Sequence, residues 1–114
     1  MGITRTRNAR KNGTEHRLRN LSDAIEMRLA DTRLKDRFSV GFNPETSRWV
    51  ISFEKLSQKE FNEILDVSSR LGLDPTQWDI GGNLKEHRRT VRIAGLTTTH
   101  ARSLAIAVAA HFQN

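Results

Sequence analysis

The sequence predicts an α+β domain in which an N-terminal helix precedes two β-β-α units, their strands forming a four-stranded antiparallel sheet with the helices on one face. Three observations predict it. Apolar residues recur at three- and four-residue steps in three segments, as amphipathic helices require. Elsewhere they alternate with polar residues in short runs joined by turn-forming residues. The second half of the chain repeats the pattern of the first at a constant offset of 40 residues. A length of 114 residues leaves room for one domain with one modest core.

Residues 1–16 carry Arg5, Arg7, Arg10 and Lys11 among Asn, Thr and Gly without periodicity, which predicts a disordered basic arm ahead of a folded domain spanning 17–114. Leu18, Leu21, Ala24, Ile25 and Leu29 form one stripe between charged residues, predicting a helix over about 17–34 that Asp36 brings to an end. Phe38, Val40 and Phe42 alternate with small residues, as do Trp49, Ile51 and Phe53, and the turn residues 43–47 between them predict a hairpin with one buried face. Ser57 with Glu60 three residues on is a capping box for a second helix through Phe61, Ile64, Leu65, Ser68 and Leu71, closed by Gly72. Trp78 and Ile80, a polar loop starting at Gly81-Gly82-Asn83, then Val91 and Ile93 predict the second hairpin. Thr97 caps the last helix, through Ala101, Leu104, Ala105, Val108 and Phe112. Phe38 and Trp78, Phe53 and Ile93, and Ser57 and Thr97 stand in one register, so 38–72 and 78–112 read as a structural pseudo-repeat.

Charge gives the functional direction. Residues 1–20 hold six bases and one acid, 21–82 eight and eleven, and 83–102 five and one, within a net charge of +6. Two basic blocks around an acidic middle suit an anionic polymer, because neutralising phosphates releases condensed counterions without needing a shaped pocket. Two contact sets are expected: an arm of Arg5, Arg7, Arg10, Lys11, Arg17 and Arg19, and a hairpin tip with Lys85, His87, Arg88, Arg89 and Arg92. With the core face of the hairpins toward the helices, the open face carries Arg37, Ser39, Gly41, Arg48, Val50, Ser52, Gln77, Asp79, Thr90 and Arg92, mildly basic overall. All seven aromatic residues fall at predicted core positions, which leaves no stacking platform and favours duplex DNA or structured RNA over single strands. The expected function is that of a non-catalytic nucleic-acid-binding protein, with the open sheet as a binding platform or as the surface pairing a homodimer. The alternative is a small protein-interaction module, a regulator or inhibitor of the kind mobile elements encode.

Other chemistries find little support. The chain has no cysteine, so disulfides, thiolate metal sites and thiol nucleophiles are excluded. His16, His87, His100 and His111 lack metal-ligand spacing, and no glycine-rich phosphate loop or nucleophile motif is present, so neither a metal nor a cofactor is expected. No apolar stretch approaches a membrane span, and a cytoplasmic or otherwise intracellular protein is the expectation. Met1-Gly2-Ile3-Thr4-Arg5-Thr6 fits an N-myristoylation pattern, and its Arg-rich, acid-poor character also fits an organellar transit segment.

A helix followed by two strand-strand-helix units resembles one LAGLIDADG homing-endonuclease module, a family that uses its open sheet as a DNA saddle. Leu29-Ala30 and Asp36 fall near the signature positions, with Asp31 in place of the helix-packing glycine and Arg37 in place of the glycine after the acid. The resemblance implies a DNA-facing sheet and, were the chain to cut DNA with a metal, Asp36 as the acid that holds it.

Overall fold

A computed structural model of the chain describes residues 18–74, 78–83 and 88–113. A helix over 18–30 (α1) is followed by β1 (Phe38–Asn43), β2 (Arg48–Leu56), α2 (Gln58–Arg70), β3 (Asp79–Asn83), β4 (Arg88–Leu96) and α3 (Thr98–His111). The strands form one antiparallel sheet in the order β1-β2-β4-β3. One apolar core unites Ile25 and Leu29 of α1, Phe61, Ile64 and Val67 of α2, and Leu104, Ala105 and Val108 of α3 with the inward strand residues Trp49, Ile51, Phe53, Val91 and Ile93. The predicted α+β architecture, with the helices on one face of the sheet, is therefore the one observed. The predicted arm over 1–16 lies outside the described residues.

The pseudo-repeat is a property of the hydrogen-bonded register as well as of sequence pattern. Ser39↔Ser52, Val40↔Ile51, Gly41↔Val50, Phe42↔Trp49 and Asn43↔Arg48 in the first hairpin match Asp79↔Arg92, Ile80↔Val91, Gly81↔Thr90, Gly82↔Arg89 and Asn83↔Arg88 in the second, each at the same offset. Between the hairpins, β2 and β4 pair about their own midpoint. Ile51↔Ile93 and Phe53↔Val91 exchange under the offset, and Ser52↔Arg92 maps onto itself. An approximate twofold axis thus passes through the Ser52/Arg92 pair, perpendicular to the sheet.

Both central strands bulge at equivalent places, and the bulges have a purpose in packing. Lys55 and Gly95 adopt positive φ of 55° and 70° at the register breaks of β2 and β4. Strict alternation from Phe53 and Ile93 would turn Leu56 and Leu96 outward, and one inserted residue returns each to the core. Both leucines are buried. The next residues, Ser57 and Thr97, are extended N-caps that accept hydrogen bonds from the backbone N–H groups of Glu60 and His100. In α2 the Glu60 carboxylate reciprocates to the Ser57 N–H, completing the predicted capping box, and Gly72 at φ 77° follows the end of the helix.

Two expectations are corrected. Helix α1 stops at residue 30 instead of 34, because the buried Thr32 hydroxyl bonds the Leu29 carbonyl and receives the Leu34 N–H, committing the chain to a turn. Leu34, fully buried, then anchors the connector, and Asp36, at φ 65°, lies well beyond the helix it was expected to end. Gly81-Gly82-Asn83 belong to β3, and Arg88 and Arg89 already belong to β4, so the second loop is shorter than the polar composition of 81–90 implies. Gly82 is what permits this. At φ 105° it brings its Cα so close to β4 that a Cβ would stand 2.1 Å from the Arg88 carbonyl oxygen.

Two stability predictions follow from this packing. Gly82→Ala forces the second hairpin open at its narrowest approach and should lower unfolding free energy by about 2–3 kcal/mol in urea titrations. Ser68→Ala should raise it by about 1 kcal/mol, because the Ser68 hydroxyl on the core face of α2 is fully buried with no hydrogen-bond partner among the described residues.

Candidate nucleic-acid interface

The face of the sheet opposite the helices presents Ser39 and Gly41 from β1, Arg48, Val50, Ser52 and Glu54 from β2, Arg88, Thr90, Arg92 and Ala94 from β4, and Asp79 and Gly81 from β3. Between its charged residues the floor is made of small side chains, none larger than Val50. Arg48 and Arg88 stand at opposite ends of the central strand pair, and Arg92 lies beside the axis between them. All three are exposed. Arg92 reaches Asp79 at 3.5 Å, a solvent-exposed ion pair that contributes little and exchanges readily for another anion.

The remaining predicted basic residues are distributed differently. Arg37 is a structural clamp. Its guanidinium grips both Glu60 carboxylate oxygens at 3.0 and 2.8 Å and donates to the carbonyls of Lys55 and Arg33 at 2.9 and 2.8 Å. One side chain thereby ties the connector after α1, the β2 bulge and the N-terminus of α2, and Arg37 is not an open-face cation. Arg89 alternates away from Arg88 and lays its guanidinium over the Phe61 ring, 4.6 Å from the centroid, on the helix side. Arg19 is exposed on α1, in the helical layer. Thus Arg48, Arg88 and Arg92 share one surface, while Arg19, Arg37 and Arg89 do not. Arg5, Arg7, Arg10, Lys11, Arg17, Gln77, Lys85 and His87 lie outside the described residues.

Sequence reasoning placed Arg48 on the open face but missed its equivalence to Arg88, although the 40-residue offset carries that signal. No comparable signal marks the Arg37–Glu60 clamp, whose partners are 23 residues apart. The aromatic residues occupy the expected side: Trp49, Phe53, Phe61, Trp78 and Phe112 are buried, and Phe38 and Phe42 are half-buried against the core. Trp49 stacks with Phe42 at 5.0 Å and donates its indole N–H to the Thr98 hydroxyl at 3.1 Å.

Asp36 is exposed in its turn, and no group of three or more His, Asp or Glu residues capable of holding a metal ion occurs among the described residues. His111 meets Glu63 at 3.5 Å across α3 and α2, and His100 is exposed in the first turn of α3. No helix among the described residues is long and apolar enough to cross a membrane. No family model matches the chain, and no match was found among curated proteins or solved structures.

The electrostatics of the clamp make a prediction about pH. Burial alone would raise the Glu60 pKa, but hydrogen bonds from Arg37 and the Ser57 N–H, with the Arg37 charge, outweigh it and hold the carboxyl below its ordinary value. A depressed folded pKa contributes stability above the unfolded pKa and loses it as pH falls through the folded one. Urea midpoints measured from about pH 6 down to about pH 3 should therefore fall less steeply for Glu60→Gln than for the parent chain. At neutral pH, Arg37→Ala should cost about 2–3 kcal/mol, since it strands the half-buried carboxylate.

Proposed function

We propose that this protein is a non-catalytic nucleic-acid-binding protein that holds a phosphate backbone against the open face of its sheet. The observation that carries the reading is the uncovered face itself, with an arginine at each end and one at the centre, outnumbering the acids Glu54 and Asp79, over a floor of small side chains. Guanidinium forks suit phosphate oxygens, and a low floor lets a bulky polymer approach all three together. On this reading the residues Arg5, Arg7, Arg10, Lys11, Arg17 and Lys85 add cationic contacts, and His87 adds a hydrogen-bonding one.

Face-to-face pairing of two copies suits this surface less well. Sheets that stack need apolar inner faces, whereas here Val50 and Ala94 are the apolar side chains, set among Arg48, Glu54, Asp79, Arg88 and Arg92. The protein-interaction reading draws its support from the helical layer, where Met27 of α1 is 73% exposed and Ile106 of α3 47%.

Fluorescence anisotropy of the full chain against labelled nucleic acids over a salt series tests the proposal. Binding should weaken steeply as salt rises, and Arg48→Ala should reduce affinity for every sequence alike while flattening the salt slope by about one. Absence of binding near physiological salt, or an unchanged slope in a chain lacking Arg48, Arg88 and Arg92, would sink it and move the search to partners of the Met27/Ile106 surface.

A further inference from the structure

Resting on the reading of the open face as a nucleic-acid interface, we infer that its ligand is a duplex centred on the sheet's own twofold axis, with Arg48 and Arg88 making equivalent contacts to the two antiparallel backbones. The pairs Asn43↔Arg48 and Asn83↔Arg88 are counterparts in the two units, so these arginines are symmetry mates and not merely neighbours in a basic patch. The Ser52/Arg92 pair marks the axis. Counted along the ladder, each arginine lies four rungs from it on opposite sides, a separation of about 25 Å at the usual strand rise. The two bulges preserve the equivalence, because each falls at the same place in its unit.

The symmetry of the ligand follows from that of the surface. Twofold axes perpendicular to a nucleic-acid duplex relate its two backbones, which run in opposite directions. A surface with its own perpendicular twofold can therefore offer each backbone the same group in the same orientation. A single strand has a direction and no such axis, so it can meet one arginine favourably and presents the reverse polarity to the other. The side chains point the same way. Among the described residues no aromatic ring lies on the open face, and stacking on such rings is a recurring source of single-strand affinity beside backbone electrostatics. Symmetry is broken at the centre, where Arg92 and Asp79 replace the equivalents of Ser52 and Ser39, and between centre and ends, where Glu54 corresponds to Ala94, but Arg48 and Arg88 hold equivalent places in the two units.

The test uses the full chain with labelled duplex DNA and duplex RNA of about two helical turns, and with one strand of each alone. Affinities are measured at several salt concentrations for the parent, Arg48→Ala, Arg88→Ala and the double variant, with circular dichroism confirming that each is folded. The expected result is that at least one duplex binds about tenfold or more tighter than its single strands, that Arg48→Ala and Arg88→Ala each weaken it severalfold and to the same extent within twofold, and that the double variant shows the product of the two losses. Equal binding of single strands, or one silent arginine beside one effective one, overturns the duplex inference while leaving nucleic-acid binding standing. Failure of the parent chain to bind any of the four probes overturns both.

Discussion

The antiparallel pairing of β2 with β4 about the Ser52/Arg92 midpoint is the constraint on which the rest of the structure depends. Because the two central strands run in opposite directions, the hairpins they belong to extend to opposite ends of the sheet and each outer strand takes an edge. Each central strand leads through a bulge, a buried leucine and a capping residue into a helix, and the shared geometry returns both helices to the same face. An open opposite face is the necessary consequence. A slip of one residue in this register would turn one strand's pair, Ile51 and Phe53 or Val91 and Ile93, away from the core while the other stayed, so the apolar pattern and the bulges enforce the same alignment.

Within that symmetric frame the two units are specialised, and the differences are complementary. Trp49 is the second residue of β2 and its counterpart Arg89 the second of β4; Phe61 in α2 corresponds to Ala101 in α3. The strand with the indole is bonded to α3, which has the small residue, and the strand with the guanidinium lies against α2, which has the ring. Bulk is exchanged between strand and helix, so neither junction is overfilled. The capping carboxylate is likewise present once: Glu60 completes a box and receives Arg37, whereas the corresponding residue of α3 is His100. This makes the start of α2 the place where the α1 connector is secured. At the other end of the connector, the Arg33 N–H bonds the Phe112 carbonyl and its guanidinium covers that ring, so α1 is held at both the first bulge and the C-terminal helix.

The elements most legible in the sequence were those specified by short-range rules. The Ser57/Glu60 box, Gly72, the alternation in β2 and the 40-residue offset all reflect interactions between near neighbours or a repeated local pattern, and each has its expected place in the fold. Helix α1 was overextended because its stripe continues in composition, and only the hydroxyl of Thr32 bonding backward to Leu29 reveals the stop. Gly81 and Gly82 suggested a loop because glycine commonly marks one, yet both are paired in β3, and Gly82 is required there by its close approach to β4. For the candidate site, alternation placed Arg48 and Arg92 on the open face, while the charge criterion assigned Arg88 to the hairpin tip. The same criterion selected Arg37 and Arg89, whose guanidinium groups belong to long-range contacts with Glu60 and Phe61 that no local spacing encodes.

The contrast between the two faces has an electrostatic basis. In the helical layer pairs of charges are matched at short range: Arg37 with Glu60 and Arg70 with Asp66. Such pairing satisfies charges in a surface whose task is to cover the core. On the open sheet the arginines outnumber the acids, and the Arg92–Asp79 pair is long and solvent-exposed. Apolar side chains there would invite stacking with another sheet, while a balanced set of charges would leave no field to attract a ligand. Small polar residues with spaced arginines avoid both, keeping the face hydrated and, on the proposed reading, open to a polyanion. The same residues that prevent this exposed sheet from becoming a hydrophobic liability are therefore those that, on the proposed reading, would grip phosphate.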